Sequence, residues 1–166
     1  MAEPVKPTIE WYSGPTGVGK TMNALRSNPG ACVMNCKKGM WFDKYDGSDT
    51  VIFDEFRHDS IDWQDLLSMT TYNHGLELPV KGSFIFFQPK KIIFTSPEKA
   101  ATEFSYRNRE TGEKTLRDDG KQFIRRLDKE MYFEPTVKAW IDITDSKEKY
   151  LTYQECKEIW ERDVIR

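Results

Sequence analysis

The 166-residue sequence has little of several things that would name a class at once. Its three cysteines cannot all pair within one chain, so a disulfide framework is excluded and a reducing compartment is the expected setting. Cys32 and Cys36 form the only close pair, and His58 and His74 are distant from it in sequence. That spacing does not make a zinc site, and all three cysteines are expected to be small buried residues. Apolar runs are short, as in Phe84-Ile85-Phe86-Phe87, far below the roughly 18–20 residues of a membrane span. The opening Met1-Ala2-Glu3-Pro4 lacks the basic start and apolar stretch of a secretory signal, so a soluble protein is expected. Neither sign of charge prevails: 25 Lys and Arg face 27 Asp and Glu, a net charge of -2. A polybasic, histone-like binder is thereby excluded, and any nucleic-acid contact must come from a local basic feature.

Against those shortages stand five Trp, seven Tyr and ten Phe within a hydrophobic fraction of 38%, enough apolar surface for a real core. The length suits one domain. Pro4, Lys6 and Pro7 mark residues 1–8 as an extended linker remnant, and residues 9–166 are read as that single domain. Ile9 to Ser13 predicts a short strand entering a glycine-rich turn, and Thr21 to Ser27 a helix leaving it. Val51-Ile52-Phe53 and Ile92-Ile93-Phe94-Thr95 predict two further buried parallel strands. Between them, a helix is expected to begin near Ser60 or Asp62 and to carry Leu66, Leu67 and Met69, followed by a hairpin from Leu76 to Phe86 that turns at Lys81-Gly82. Thr152-Tyr153-Gln154-Glu155 reads as a capping box, opening an amphipathic helix over about 152–164 whose apolar positions are Cys156, Ile159, Trp160 and Val164. Its simplest role is packing on the core.

The chemistry concentrates in Gly14-Pro15-Thr16-Gly17-Val18-Gly19-Lys20-Thr21, which satisfies the phosphate-loop pattern GxxxxGK[ST] between a predicted strand and a predicted helix. Glycines let backbone N–H groups turn toward phosphate oxygens at a helix N-terminus. Lys20 reaches the β- and γ-phosphates, and the Thr21 hydroxyl is the expected ligand of Mg2+ in a bound Mg2+–ATP. The second strand then delivers Asp54 and Glu55 to its C-terminal end, where ligands gather in open α/β sheets. Asp54 would hold the metal through water, and Glu55 would polarise the attacking water, which favours hydrolysis over transfer to a small acceptor. The adjacent Arg125 and Arg126 point to different faces of their element; one of them serves a phosphate, or both are solvated or salt-bridged. Lys81 at the hairpin tip reads either as a DNA-contacting lysine or as a solubilising turn residue.

Taken together, Trp11-Tyr12-Ser13-Gly14-Pro15, the segment Gly39-Met40-Trp41-Phe42-Asp43-Lys44-Tyr45-Asp46-Gly47, Asp54-Glu55-Phe56-Arg57 and the hairpin resemble the superfamily 3 helicase domain of replication initiators. These are the Rep proteins of circular single-stranded DNA viruses of the circovirus-like kind, and the resemblance covers roughly residues 9–133. It implies an AAA+-like ATPase that pulls single-stranded DNA through the pore of a ring, with Lys20 and Thr21 on Walker A and Asp54 and Glu55 on Walker B. It also puts Lys81-Gly82 on the DNA-facing hairpin and Arg125-Arg126 in the arginine-finger region. A host-cell nuclear setting, a hexameric ring in the full-length protein and a monomer for this chain alone follow from the same resemblance. Two departures stand out. The family's third strand ends in an asparagine that senses the γ-phosphate, whereas Pro97 offers no donor and leaves that bond to Thr95 or Ser96. The paired histidines and tyrosine of the family's nicking domain have no counterpart, so DNA cleavage is not expected.

The expected fold is therefore α/β, a P-loop NTPase with an AAA+-like three-layer sandwich, a mostly parallel central sheet and a β-hairpin insertion. Two other readings remain beside the helicase: a small P-loop kinase of similar size, and a nucleotide-gated DNA-binding or assembly module that holds ATP with little hydrolysis.

Overall fold

The computed structural model describes residues 3–36, 42–107, 114–116 and 118–165. The expectations that rested on Gly39, Met40 and Trp41 lie outside the described residues. In chain order the strands and helices are β1 (Thr8–Ser13), α1 (Lys20–Ser27), β2 (Cys32–Asn35), β3 (Thr50–Asp54), α2 (Trp63–Met69), β4 (Leu76–Val80), β5 (Ser83–Phe87), β6 (Lys91–Ser96), α3 (Ala100–Glu103), β7 (Ser105–Arg107), β8 (Lys114–Leu116), α4 (Asp118–Ile124), β9 (Lys129–Glu134), β10 (Ala139–Asp142) and α5 (Tyr153–Ile165). Among the described residues six strands form the central sheet in the order β10-β9-β1-β6-β3-β2. All neighbours run parallel except β10 on β9.

The central strands owe their place to composition. β1, β3 and β6 are buried on both faces, with apolar residues predominating in β3 and β6, as in strands covered on both sides. Their register puts Trp11 beside Phe94 and Phe53 beside Phe94, and the Trp11–Phe94 and Phe53–Phe94 ring centroids both lie 5.4 Å apart. That row packs into one large core with Phe56, Phe104 and Phe123, with Leu66 and Met69 from α2, and with Leu78 and Phe87 from the hairpin. The alternate side chains Tyr12, Ile52 and Ile93 meet Ala24 and Leu25 of α1 on the opposite face. Helices thus cover both faces of a mostly parallel sheet.

Local signals explain the boundaries. Asp62 caps α2 by accepting from Gln64 N–H at 3.1 Å, so the helix starts just past the two residues expected. The hairpin pairs Val80 with Ser83 across Lys81-Gly82, where Gly82 takes φ +77°, a conformation glycine adopts without cost. Thr152 and Glu155 bond reciprocally at 3.1 Å (Glu155 N–H to Thr152 Oγ1) and 3.3 Å (Thr152 N–H to Glu155 Oε1), which confirms the capping box of α5. Cys32, Cys36 and Cys156 are free and buried, and burial pushes the Cys36 thiol up to about 12. The extended segment before β1 is docked, since Val5 exchanges hydrogen bonds of 2.8 and 3.0 Å with Asn73. Among the described residues, no helix is long and apolar enough to cross a membrane.

The half of the sheet built from β9 and β10 has an inverted pattern. In β9 the buried positions are Glu130, Tyr132 and Glu134. Glu134 accepts from Tyr132 O–H at 2.8 Å and Thr136 N–H at 3.0 Å, and Glu130 accepts from Ala100 N–H at 3.2 Å. Beside them Lys99, only 1% exposed, donates to the carbonyls of Glu148 and Leu151, both at 3.1 Å, and lies 2.6 Å from Cys156 Sγ. Its Nζ also sits 4.2 Å from the centroid of the Tyr132 ring. One lysine therefore fastens the turn before α5, and α5 itself, to the sheet.

Two outcomes follow for stability. Lys99→Met removes the donor to two half-buried carbonyls, of which Glu148 O keeps its bond from Leu151 N–H at 3.0 Å, so urea unfolding should show a loss of about 1–3 kcal/mol. Burial raises the Glu130 carboxyl from 4.5 to about 7, so the native state holds a proton that the unfolded state releases, and stability declines as pH rises between those values. Glu130→Gln should match the wild type at acidic pH and exceed it at pH 8 by on the order of 2–3 kcal/mol, read from unfolding midpoints across pH.

Candidate functional site

The C-terminal ends of β1, β6 and β3 lie side by side, and the loop from Gly14 to Gly19 leaves the first of them. Open α/β sheets place ligands at this edge, and β1 is flanked by β6 on one side and β9 on the other, so connections diverge there. Gly17 and Gly19 take φ of +88° and +82°, the left-handed region that side chains rarely enter, and a Cβ at either would meet nothing within 4 Å. The loop is thus open on its outer side. At Gly14 the opposite holds: a Cβ there would lie 3.0 Å from Phe133 Cβ and 3.1 Å from Val18 Cγ2, so the loop base is pressed against β9.

Lys20 opens α1 and turns back beneath the loop, donating to Gly14 O at 2.6 Å and Pro15 O at 3.4 Å. It is 7% exposed, and burial lowers its pKa against the opposing pull of Glu55 and Asp54. The Thr21 hydroxyl donates to Asp54 Oδ1. Thr95 Oγ1 donates to the same oxygen at 2.9 Å and accepts from Glu55 N–H at 3.1 Å. Glu55 has φ +60°, one of two non-glycine residues with positive φ among the described residues. Ser96 is fully buried; its carbonyl accepts from Gly14 N–H at 3.3 Å and its Oγ from Glu98 N–H at 3.3 Å.

The structure therefore brings Gly14, Lys20, Thr21, Asp54, Glu55, Thr95 and Ser96 into one cluster. Arg126 stands elsewhere, donating to Leu67 O at 2.8 Å and Thr70 Oγ1 at 3.3 Å, where it satisfies carbonyl oxygen at the end of α2. Arg125 is exposed, and among the described residues its side chain bonds through Nε to Lys121 O at 3.3 Å. Lys81 is exposed at the hairpin tip, beside an outer face that shows Phe84 and Phe86. Arg57 also stands near the site, although no sequence motif assigns it a role. The structure sets its charge against Lys20 and ties it to Glu103 at 3.9 Å, with Glu103 also accepting from His58 N–H at 2.7 Å. The signal was its place directly after Asp54-Glu55-Phe56.

These residues fit a nucleotide polyphosphate with a hard cation. The open glycine loop exposes backbone donors, and Lys20 needs only to exchange its bonds to Gly14 O and Pro15 O for bonds to phosphate oxygens. Thr21 and Asp54 supply the neutral and anionic oxygens that Mg2+ prefers.

A protein-family model described as RNA helicase matches residues 10–97. The chain is 35% identical over 98 residues to the replication-associated protein of beak and feather disease virus, covering 58% of this chain and 32% of that protein. It is 39% identical over 91 residues to the replication-associated protein of canary circovirus, covering 55% of this chain and 30% of that protein. A third relative, the replication-associated protein of pigeon circovirus, is 39% identical over 85 residues, covering 51% of this chain and 25% of that protein. The match thus spans about a third or less of the length of these curated relatives.

The loop geometry has a direct test in alanine substitutions. Gly14→Ala should destabilise by about 1–2 kcal/mol through its contact with Phe133, and Gly17→Ala by about as much through backbone strain alone. Gly30→Ala, at ordinary φ with nothing within 4 Å of the added carbon, should be neutral or slightly stabilising in the same denaturant titration.

Proposed function

This chain belongs to the RNA helicase family, and we propose that it is the ATP-hydrolysing motor domain of a viral replication-associated protein, moving along single-stranded DNA in the host-cell nucleus. The observation that carries this reading is the convergence of Lys20, Thr21, Asp54 and Glu55 at adjacent strand ends, all within the segment matched by the family. The fold proposed around it is a P-loop, AAA+-like one, supported by the parallel order β9-β1-β6-β3-β2 and by helices on both faces.

In this proposal the loop amides and Lys20 bind and orient the phosphates. Thr21 and Asp54 would hold Mg2+, which would supply positive charge to neutralise the triphosphate. Glu55 accepts a proton from the attacking water as that water adds to the γ-phosphorus and the bond from that phosphorus to the β–γ bridging oxygen breaks, releasing ADP and phosphate. Arg126 is already committed to the end of α2, which leaves Arg125 as the arginine free to reach a neighbouring subunit's site in a ring. Lys81 at the tip of the β4–β5 hairpin meets the DNA backbone as a point charge. The rest of the full-length protein supplies further contacts between subunits, so the chain alone is monomeric when dilute and self-associates only as its concentration rises. A second reading, a module that holds ATP with little turnover, is favoured by one observation: Pro97 brings no hydrogen-bond donor to the end of β6.

ATP turnover with magnesium, measured across a wide range of protein concentration and with single-stranded DNA, RNA or neither, tests these readings. Activity per chain should rise with concentration and with DNA. It should fall by on the order of 100-fold or more in Lys20→Ala and Glu55→Gln. Arg125→Ala should abolish the concentration dependence, with a loss on the order of 1,000-fold. Tight ATP binding without turnover at any concentration would support the binding module, and stimulation by RNA alone would replace DNA as the track.

A further inference from the structure

Thr95 carries more of the site than its place in the sequence suggests. It is fully buried at the end of β6 and makes three contacts with the segment after β3. Its carbonyl accepts from Phe56 N–H at 2.8 Å, its hydroxyl oxygen accepts from Glu55 N–H at 3.1 Å, and its hydroxyl proton goes to Asp54 Oδ1 at 2.9 Å. Between the two amides held in this way sits Glu55 at φ +60°, a conformation that costs energy for any residue with a side chain and persists only where surrounding contacts enforce it. Cys36 N–H fixes Asp54 from the other flank, donating to its carbonyl at 2.8 Å.

We infer that Thr95 is the positioning residue of the hydrolytic pair: its hydroxyl holds Glu55 in the left-handed turn and orients the Asp54 carboxylate, and it does not contact the nucleotide. The inference rests on the hydrolase reading above. The chemical reason is stoichiometric. A hydroxyl has one proton, and that of Thr95 is spent on Asp54, so a bond from Thr95 to a γ-phosphate would release the carboxylate it orients. Without the hydroxyl, Glu55 N–H loses its acceptor and the left-handed turn loses a restraint. The carboxylate of Glu55 then drifts from the position required to meet water, while Lys20 and the loop, whose bonds do not involve Thr95, continue to bind phosphate.

The test compares Thr95→Val, Thr95→Ser and Thr95→Cys in the intact chain, with single-turnover ATP hydrolysis, binding of a fluorescent ATP analogue, and amide hydrogen exchange at Glu55 without nucleotide. Thr95→Val should lower the hydrolysis rate on the order of 100-fold, because small misplacements of reacting groups have effects of that size, with nucleotide affinity unchanged and Glu55 exchange accelerated. Thr95→Ser should restore both rate and protection. Thr95→Cys, with a weaker donor and acceptor of similar size, should fall between and serves if the valine variant does not fold. Equal loss in the valine and serine variants would assign the effect to packing and overturn the inference. Loss of nucleotide affinity at an unchanged rate would overturn it in favour of direct phosphate sensing. A valine variant as fast as an active wild type would overturn it alone. A wild type that never hydrolyses ATP would overturn the hydrolase reading and this inference with it, whereas the exchange data would still report whether Thr95 restrains Glu55.

Discussion

The parallel register of β1, β6 and β3 is the constraint on which everything else in this molecule depends. It lays Trp11, Phe94 and Phe53 in one transverse row and, one residue further along, puts Tyr12 beside Thr95. The first row faces the large core with α2 and the hairpin, and the second reaches the edge where the glycine loop begins. Because side chains alternate with a period of two, a slip of one residue at either pairing would carry an aromatic ring out of the core and bury a carboxylate in its place. Packing and chemistry are thus specified by the same hydrogen-bond ladder. The aromatic row supplies the large energetic incentive for that ladder, and the polar residues at its end inherit their positions from it.

The cluster at the sheet edge sets one buried lysine among carboxylates, an arrangement that the proposed function would use to receive an anion without a basic surface. Lys20 is buried against its own loop and balanced by Asp54 and Glu55, and Arg57 is moderated by Glu103. A net charge of -2 offers no broad attraction for polyphosphate. Under the proposed function the affinity would reside in directed donors, the loop amides and one lysine, which would give up its bonds to Gly14 O and Pro15 O for phosphate oxygens.

Where the sequence was legible, it was so because local chemistry and tertiary need agreed. The loop, the apolar runs at Val51 and Ile92, the turn at Lys81-Gly82 and the box at Thr152 each state a backbone preference that the fold uses. β9 was hidden because its inward positions include two glutamates, so its alternation reads as a solvated strand or as no strand at all. α4 was hidden because Gly120 interrupts a short run between elements. Within the site, Lys20, Thr21, Asp54 and Glu55 could be named from motif spacing. The pairing of Thr95 with Asp54 and Glu55 could not, since it joins two strands forty residues apart that become neighbours only in the sheet. The commitment of Arg126 to α2 was invisible for the same reason.

The cage around Lys99 fixes the dissection of this chain into parts. Its acceptors come from the turn at Lys147–Tyr150 and the start of α5, almost fifty residues downstream, while its backbone opens α3 directly after the strand that carries Thr95. The segment matched by the family ends at residue 97, two residues short of that lysine, so it excludes Lys99, its acceptors and Glu130 alike. Modularity in sequence comparison and modularity in structure therefore part company here: the recognised piece stops inside the sheet, whose strands β9 and β10 lie beyond it, with β9 paired onto β1.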